Sequence, residues 1–513
     1  MKKSYEQFVL RQELLKKQYD KAYLEKQHKR GKLTARERIL LLFDEGTFEE
    51  TDAYVLPGEA SFGKTVKAYG DGVITGFGKV NGRLVCAYAQ DFNILGGSLG
   101  SMHASKIAKV QDLALKTGSP IVGLIDSGGA RIQEGISNLT GYAEIFKRNV
   151  LSSGVIPQIS VIMGPAAGGA VYSPALTDFI FMTADTSYMF VTGPNVVKEV
   201  LNEAVSTEDL GGASVHGTKS GIADFVYNDG ENAILGVKKL LSYLPSSNLE
   251  EAPQIRSEDI ANRTEELLRN IVPDDADKPY NVKDIIEMIV DDEDYFEIAE
   301  NYAMNIVTAF ARMDGRVVGI VANQPKVMAG TLDIDSSVKA ARFINVCDAF
   351  NIPIVTLQDV PGFMPGTQQE HGGIIRHGAK LLYAYTYATV PKITIILRKA
   401  YGGAYIVMNS KGIGGDFVFA WPTAEIAVMG PDGAIAILYR KELEESEDPI
   451  ALKKKLTAQY REEVANPYIA DEKGYIDEVI DPAQTRVKII NCLHALERKM
   501  ELRPKRKHGN LPL

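Results

Sequence analysis

The sequence predicts an α/β fold built from two similar domains in tandem. The first observation is an internal repeat: residues 82–85 recur as residues 315–318, and residues 120–126 recur as residues 353–359, each at an offset of 233. So long a period indicates two related domains rather than a stack of short repeats. The second observation is that runs rich in β-branched residues, entered through proline and closed by small residues, are typical of buried strands that end in a tight turn.

Two copies of a Gly-Gly-Ala loop follow such strands. The copy at residues 168–170 comes after the run 157–162, and the copy at residues 402–404 comes after the run 391–396. Small residues allow a close approach to the backbone and leave N–H groups unpaired. A helix that begins there directs those groups toward an oxyanion. One copy alone could equally be a turn that packs a helix on a strand, but two copies in register favour a binding role.

The composition is that of an ordinary globular protein, with 45% hydrophobic residues, 24% charged residues and a formal net charge of -9. No run approaches the roughly 18 apolar residues of a membrane helix. The N-terminus lacks the apolar region of a signal peptide, so we expect a cytoplasmic protein without direct membrane insertion. Cys86, Cys347 and Cys492 are isolated, which excludes a structural zinc ribbon within this chain and fits a reducing compartment.

The first 38 residues are basic, with twelve Lys/Arg against five Asp/Glu. Aromatic and leucine side chains at roughly helical spacing, from Tyr5 to Tyr23, predict one long amphipathic helix. No base-reading motif accompanies this charge, so a helix docked on a neighbour is favoured and nucleic-acid binding is not expected. Thr34 and Glu37 have capping-box spacing, which predicts a second helix.

A change in composition marks the domain boundary. Residues 245–300 carry seventeen Asp/Glu against five Lys/Arg, with several prolines. We therefore divide the chain into an N-terminal domain (1–250), an acidic linker with the start of the second repeat (251–300), and a C-terminal domain (301–513). The acidic run at residues 291–294 lacks calcium-loop spacing and is predicted to be a solvated loop, so no metal site is expected.

Turn and cover segments complete the predicted plan of the domains. The Asn81-Gly82 turn predicts a β-hairpin in the first domain, and the Asp314-Gly315 turn predicts its counterpart in the second. Residues 193–224 are predicted to form a helical cover over strand ends, with His216 as a structural histidine.

Two polar loops of the first domain are further candidates for a site. Residues 96–100 match G-x-S-x-G, the nucleophile elbow of serine hydrolases, but nothing marks a histidine for that reaction and a hydrolase is a remote alternative. We favour glycines that bring the N-terminus of a helix, which runs through Ala114, close to a phosphate or a packed strand. Residues 126–135 follow a buried strand, where α/β proteins carry their sites. A helix cap for Asp126 and a surface ion pair for Arg131 are the structural alternatives.

Taken together, these motifs resemble the carboxyltransferase subunit of biotin-dependent acyl-CoA carboxylases, the family of propionyl-CoA carboxylase β, methylmalonyl-CoA decarboxylase α and the transcarboxylase large subunit. The motifs that carry the resemblance lie at residues 31–38, 95–100 with His103, 126–135, 164–172, 359–366, 398–405 and 507–510. They span essentially the whole chain. The resemblance implies a crotonase-like (ClpP/crotonase) fold in each domain and a homo-hexamer of two trimeric rings. It also implies an active site where the N-terminal domain of one subunit meets the C-terminal domain of another.

The resemblance further implies a reaction, the transfer of a carboxyl group between carboxybiotin and the α-carbon of a short-chain acyl-CoA. It assigns the backbone of Gly168, Gly169 and Ala170 to the anion that develops on the thioester oxygen. The backbone of Gly403 and Ala404 is assigned to the charge on the ureido oxygen of biotin. Both assignments follow the logic of an oxyanion hole. Because released biotin can itself take the α-proton, no side-chain base is required.

The same resemblance implies a set of substrate-binding residues: Gly97, Ser98, Ser127, Gly128, Gly129, Ala130, Arg131, Val360, Pro361, Gly362, Phe363, Tyr405 and Ile406. Two positions depart from the pattern of the family, because Ile406 stands where Asp is common and Ser101 where Glu is often found. An apolar residue at position 406 is expected to alter tolerance at the acyl end. Propionyl-CoA/methylmalonyl-CoA is therefore the leading substrate, with acetyl- or butyryl-CoA as alternatives.

Partner proteins are implied by what the sequence lacks. It has no Met-Lys-Met biotin-attachment site and no convincing ATP-binding motif. Biotin is therefore expected on a biotin carboxyl carrier protein and its carboxylation on a biotin carboxylase subunit, or on the membrane subunits of a sodium-pumping methylmalonyl-CoA decarboxylase. Two other classes stay open: a biotin-independent crotonase-type hydratase or hydrolase, and a non-catalytic scaffold of a carboxylase assembly.

Overall fold

The computed structural model describes residues 2–63 and 67–512. The chain separates into two compact units, with the boundary between Glu251 and Ala252. Each unit contains one mixed β-sheet with α-helices packed around it.

The strands of the first unit are β1 (Glu49–Thr51), β2 (Val73–Val80), β3 (Arg83–Gln90), β4 (Ile121–Ser127), β5 (Gln158–Ala167), β6 (Phe179–Thr183), β7 (Tyr188–Phe190) and β8 (Phe225–Tyr227). Its helices are α1 (Lys3–Gln18), α2 (Lys21–His28), α3 (Ala35–Leu42), α4 (Ser101–Thr117), α5 (Ser137–Ser152), α6 (Tyr172–Ala175), α7 (Pro194–Leu201), α8 (Thr207–Gly211), α9 (Ala213–Thr218) and α10 (Gly230–Tyr243). The strand order is β1-β2-β3-β4-β5-β6-β8, and β7 pairs with the end of β5. Strands β1 to β3 are antiparallel, and β3, β4, β5, β6 and β8 are parallel.

The strands of the second unit are β9 (Tyr295–Ile298), β10 (Ile306–Met313), β11 (Arg316–Asn323), β12 (Ile354–Val360), β13 (Lys392–Tyr401), β14 (Phe417–Ala420), β15 (Glu425–Ala427) and β16 (Glu478–Val479). Its helices are α11 (Leu268–Ile271), α12 (Val282–Ile289), α13 (Ile334–Ala349), α14 (Thr367–Gly372), α15 (Ile374–Tyr387), α16 (Gly402–Val407), α17 (Pro431–Leu438), α18 (Arg440–Glu445), α19 (Pro449–Glu463), α20 (Pro467–Glu472) and α21 (Thr485–Ala495). The strand order is β9-β10-β11-β12-β13-β14-β16, and β15 pairs with the end of β13.

The two sheets have the same topology, which confirms the predicted α/β fold with an internal repeat. In each unit an antiparallel hairpin leads into parallel strands, and the third parallel strand, β5 or β13, carries an extra short partner beside its C-terminal end. All residues of β4 and of β12 are buried, as expected of central parallel strands, although both strands carry polar residues toward their C-terminal ends.

Both predicted hairpins are confirmed. Strand β2 pairs with β3 around Asn81 and Gly82, whose φ angles are 51° and 77°. Strand β10 pairs with β11 around Asp314 and Gly315, whose φ angles are 53° and 73°. Two successive positive φ angles define the type I′ turn that matches the twist of a hairpin, and Asn, Asp and Gly are the residues that adopt them most easily.

The N-terminal segment forms two helices, so the prediction of one long helix is wrong. The chain breaks after α1, and α2 begins at Lys21. The preceding residue, Asp20, caps it, because its carboxylate accepts a hydrogen bond of 2.9 Å from the N–H of Tyr23. An aspartate in that position is a favourable N-cap, and the aromatic spacing gave no sign of it. The capping box of Thr34 and Glu37 at the start of α3 is confirmed.

The acidic segment before residue 300 is built into the second unit. Helix α12 lies in its hydrophobic core, and β9 pairs with β10. The predicted solvated loop at residues 291–294 is corrected at Asp291, which is buried. Its carboxylate accepts hydrogen bonds from the N–H groups of Asp314 and Gly315 and pairs with Arg486 at 2.6 Å. A carboxylate that caps a turn distant in the sequence can be identified from the folded structure but not from local sequence patterns.

Two negative findings hold for residues 2–63 and 67–512. Every helix in this part of the chain is too short or too polar to cross a bilayer. No group of three or more His, Cys, Asp or Glu side chains within it has an arrangement that could hold a metal ion.

Candidate active site

The two Gly-Gly-Ala loops have matching backbone geometry. Strand β5 ends at Ala167, and a 3-10 turn over Gly168–Val171 begins with Gly168 at a φ of 59°. Strand β13 ends at Tyr401, and α16 begins with Gly402 at a φ of 57°. A positive φ at the first residue after a strand turns the chain sharply into the helix and favours glycine. The repeat therefore preserves a conformation as well as a sequence.

The first N–H groups of these helical segments are free of intrahelical acceptors. In an α-helix the first turn lacks partners for its N–H groups, which applies to Gly403 and Ala404 in α16. In the shorter 3-10 turn the N–H groups of Gly168 and Gly169 lack such partners. The N–H of Ala170 is the first in the turn with an acceptor three residues back in the chain. Each unit therefore presents adjacent donors at the end of a central strand.

Space beside the second loop is open. A Cβ added to Gly403 would meet no heavy atom within 4 Å. Beside it, Ile406 is 46% exposed, and Tyr405 is partly buried. At the first loop, a Cβ on Gly169 would lie 3.0 Å from the ring of Tyr142, which covers one side of that glycine. A ligand can therefore approach the backbone of the second loop closely.

A companion loop lies next to the first glycine loop. The companion loop comprises residues 127–131, starting from the last residue of β4, and its backbone is held by residues 96–99. The N–H of Leu99 donates to the carbonyl of Gly129 over 2.9 Å, and the N–H of Arg131 donates to the carbonyl of Leu99 over 3.0 Å. Gly129 has a φ of 96°, which few other residues adopt. Ser127, Gly128, Gly129 and Ala130 are thus fixed as a group beside Gly97 and Ser98.

The second unit repeats this arrangement at an offset of 233. The N–H of Leu332 donates to Gly362 over 3.0 Å, and the N–H of Met364 donates to Leu332 over 2.7 Å. Residues 360–363 after β12 therefore occupy the place that residues 127–130 have after β4. The candidate residues Val360, Pro361, Gly362 and Phe363 form one loop, as the sequence predicts.

The side chain of Arg131 supports its own loop. Its guanidinium is buried and pairs with Asp71 over 2.6 Å and Glu134 over 2.7 Å, and it also donates to the carbonyl of Ser98 over 2.9 Å. Glu134 in turn accepts from the N–H and hydroxyl of Ser101 at the start of α4. Burial raises the pKa of Glu134, but the hydrogen bonds from Ser101 and Arg131 outweigh it and leave that pKa lowered. The predicted alternative of a surface ion pair is wrong, because the pair is buried.

Sequence reasoning missed Asp71 and Glu134 as the partners of Arg131. Asp71 has a φ of 49°, and its second oxygen accepts from the N–H of His103 over 2.8 Å. Burial raises the pKa of Asp71, and the Arg131 guanidinium opposes that shift. Because Asp71 lies far from Arg131 in the sequence, no local spacing indicates their contact. Only the i, i+3 spacing of Arg131 and Glu134 was a visible signal.

The G-x-S-x-G motif does not form a nucleophile elbow. The hydroxyl of Ser98 donates to the carbonyl of Leu95 over 2.6 Å. His103 is buried between Gln90 and the carbonyl of Asp71, and burial lowers its pKa to about 3. His216 contacts the carbonyl of Met189 and the hydroxyl of Ser220, as expected of a structural histidine. These contacts give no support to a serine hydrolase.

Comparisons with known proteins agree with this geometry. The sequence model of one protein family, the carboxyl transferase domain, matches residues 26–511 of this chain. The propionyl-CoA carboxylase beta chain of Cereibacter sphaeroides is 56% identical over 96% of this chain and 96% of its own length. The methylmalonyl-CoA decarboxylase subunit alpha of Propionigenium modestum is 55% identical over 96% of this chain and 95% of its own length.

The fold has a match among solved structures. Transcarboxylase 12S, described as a hexamer assembly with methylmalonyl-coenzyme A and methylmalonic acid bound, is 50% identical and has a TM-score of 0.96. The match covers 100% of this chain and 98% of that chain. Together with the two glycine loops and the match over residues 26–511, this similarity shows that the chain belongs to the carboxyl transferase domain family.

Proposed function

We propose that this chain transfers a carboxyl group between carboxybiotin, carried on a partner protein, and the α-carbon of a short-chain acyl-CoA. The observation that carries the proposal is the matched pair of glycine loops, Gly168-Gly169-Ala170 after β5 and Gly402-Gly403-Ala404 after β13. The reaction develops negative charge at two oxygen atoms, one on each reactant. A chain with two equivalent sets of backbone donors suits this demand.

In this mechanism the first loop binds the thioester oxygen of the acyl-CoA. The N–H groups of Gly168 and Gly169 donate to that oxygen as the α-carbon gains charge, and we include Ala130 as a further donor. The N–H of Ala170 closes the 3-10 turn and so helps to hold the loop in shape. A donor of this kind contributes about 2.7–4 kcal/mol in a comparable oxyanion hole. The rigid loop around Gly129 keeps the donors in place and limits reorganisation during the reaction.

The second loop binds the ureido oxygen of biotin. Biotin, when bound, supplies the carboxyl group and the base that takes the α-proton. The N–H groups of Gly403 and Ala404 donate to its oxygen, and the open space at Gly403 allows the ring to approach the backbone. The residues of both loops have no titratable side chain, which suits a reaction in which the protein stabilises charge and does not transfer the proton itself.

The assembly belongs to the same proposal. Transcarboxylase 12S is described as a hexamer, and at 50% identity over the whole chain we propose a homo-hexamer here. The partners are a biotin carboxyl carrier protein and a biotin carboxylase subunit. The three cysteines are buried free thiols, which supports a reducing, cytoplasmic location.

Propionyl-CoA/methylmalonyl-CoA is the proposed substrate pair. Transcarboxylase 12S, which shares the fold, has methylmalonyl-coenzyme A bound, and relatives at 55–57% identity carry the names propionyl-CoA carboxylase and methylmalonyl-CoA decarboxylase. Ile406 is exposed beside the second loop and stands where Asp is common in the family. Acetyl- and butyryl-CoA are therefore kept as alternative substrates.

A second candidate is the same transferase activity in the opposite direction, as a subunit of a sodium-pumping methylmalonyl-CoA decarboxylase. The decarboxylase subunit of Propionigenium modestum is 55% identical, against 56% for the carboxylase chain of Cereibacter sphaeroides. The two loops serve both directions equally, because the same two oxygen atoms bear the charge. Copurified partners distinguish the two assemblies.

The experiment is an assay of the purified chain with methylmalonyl-CoA, malonyl-CoA and ethylmalonyl-CoA, with and without free biotin. We expect biotin-dependent loss of the carboxyl group, fastest with methylmalonyl-CoA. A parallel assay of crotonyl-CoA hydration tests the hydratase alternative. Hydration without biotin and no decarboxylation by a folded oligomer would contradict the proposal.

A further inference from the structure

Each unit buries one aspartate at an irregularity between its two central strands. The pairing of β4 with β5 shifts register between Ile125 and Ser127, so that Asp126 stands opposite three residues, 163–165. The pairing of β12 with β13 shifts in the same way around Asp359, which stands opposite residues 397–399. These irregularities come just before Gly168 and Gly402, so they set the path of each strand into its glycine loop.

In the second unit the irregularity supplies two donors to the aspartate. The Nε of Arg398 donates to Oδ2 of Asp359 over 3.0 Å, and the N–H of Lys399 donates to Oδ1 over 3.0 Å. Arg398 also donates to the carbonyls of Lys278 and Asp275 and is buried. The carboxylate is therefore satisfied by the strand that leads directly to Gly402.

In the first unit the equivalent positions cannot supply either donor. At the offset of 234 that relates the two glycine loops, Gly164 replaces Arg398 and Pro165 replaces Lys399. Glycine has no side chain, and proline has no N–H. A buried carboxylate without such donors would be strongly unfavourable.

The N-terminal segment provides two donors in their place. The Nζ of Lys32 lies 2.7 Å from Oδ1 and 2.6 Å from Oδ2 of Asp126, and Nη2 of Arg38 donates to Oδ2 over 2.8 Å. These side chains are 8% exposed for Lys32 and 1% exposed for Arg38 and Asp126. A Cβ on Gly164 would overlap the Asp126 carboxylate and lie 2.6 Å from Nζ of Lys32, so the glycine makes the room that both need.

We infer that Lys32 and Arg38 are positioning residues for the first glycine loop, acting through Asp126. The segment at residues 31–38 takes the place of two donors that the second unit carries within its own sheet, and it fixes the strand that leads into Gly168. The inference rests on the proposed function for the task of that loop. It predicts that losing Lys32 disturbs the first loop and leaves the second unchanged, and that losing Arg398 does the reverse.

The test is hydrogen–deuterium exchange of the purified oligomer, which needs no catalytic activity. In Lys32→Met we expect faster exchange in peptides that cover residues 163–170, with peptides over residues 397–404 unchanged. Arg398→Met should reverse the pattern, and Lys29→Met, a change of an exposed lysine three residues before Lys32, should match the wild type. Lys32→Gln is a milder second variant in case Lys32→Met does not assemble. Unchanged exchange over residues 163–170 in a folded Lys32 variant would overturn the inference.

Steady-state kinetics give a second readout that a general loss of stability would not produce. For Lys32→Met we expect kcat/KM for methylmalonyl-CoA to fall by about tenfold or more, with KM for free biotin unchanged. Lys32→Arg, which keeps the charge and a donor, should recover part of the loss. An equal change in both substrates' KM would contradict a role confined to the first loop. A wild-type protein without turnover would refute the proposed function, whereas the exchange result would still decide the inference.

Discussion

Gly129 packs directly against Ala167: a Cβ added to Gly129 would lie 2.9 Å from the carbonyl oxygen of Ala167. This contact joins the companion loop after β4 to the last residue before the first glycine loop. Gly129 also has a φ of 96°, so any larger residue is strained in two ways. The contact therefore couples the position of residues 127–131 to that of Gly168.

Gly129→Ala should accordingly lower the stability of the protein and raise KM for the acyl-CoA. The matched control is Gly128→Ala, because a Cβ there would lie 3.6 Å from the carbonyl oxygen of Gly96, an ordinary contact. Thermal unfolding of the two variants is the measurement, and a reduced midpoint is expected for Gly129→Ala alone. Equal midpoints would show that the contact with Ala167 is not rigid.

Ile406→Asp should narrow the acyl preference of the enzyme. The side chain is 46% exposed beside the second loop, and a charged group at that place changes which acyl ends are tolerated. A methylene in an apolar pocket discriminates by only about 1–3 kcal/mol, so the apolar residue is expected to be permissive. The measurement is kcat/KM for acetyl-, propionyl- and butyryl-CoA. Unchanged ratios among the three substrates would exclude a role for this position in specificity.

The buried, neutral side chain of His103 should make the folded protein less stable at acidic pH. Its pKa is lowered by burial from 6.5 to about 3, with the Arg131 charge acting in the same direction. The unfolded chain therefore binds a proton between these two values that the folded chain does not. The stability that the protein gains by keeping this imidazole neutral is fully present above pH 6.5 and is lost as the pH falls toward 3. Between pH 7 and pH 5 the free energy of unfolding should fall by about 2 kcal/mol from this group.

The variant that checks this effect is His103→Gln. Its thermal midpoint should fall less between pH 7 and pH 5 than that of the wild type, although it starts lower because the hydrogen bonds of the imidazole are altered. Buried carboxylates contribute equally to both proteins and cancel in the comparison. Parallel pH profiles for the two proteins would mean that His103 takes up its proton without unfolding.

The repeat and its glycine loops could be predicted from sequence because their determinants are local. A positive φ after a strand requires glycine at positions such as 168 and 402, and the two type I′ turns require Asn, Asp or Gly. The same holds for the capping box of Thr34 and Glu37. Such features depend on a few neighbouring residues, so the residue types alone indicate them.

Features that depend on distant partners could not be predicted in this way. The pairing of Arg131 with Asp71 and of Asp126 with Lys32 joins segments far apart in the chain. The burial of Asp291 depends on Arg486 near the other end of the second unit. The break between α1 and α2 is different, because Asp20 is a recognisable N-cap that the aromatic spacing obscured.

The proposed role of the second loop is that its backbone N–H groups stabilise the charge on biotin. We would test this role by the transfer of a labelled carboxyl group from methylmalonyl-CoA to free biotin, catalysed by the wild type, Gly403→Ala and Gly403→Pro. Gly403 is the second residue of α16, where proline is tolerated by a helix but removes the N–H. We expect Gly403→Pro to assemble and its kcat to be lower by a factor of about 10²–10³, as for the loss of one oxyanion donor. Gly403→Ala, which keeps the N–H, should retain more activity. Full transfer by an assembled Gly403→Pro variant would contradict a role for the Gly403 N–H in stabilising this charge.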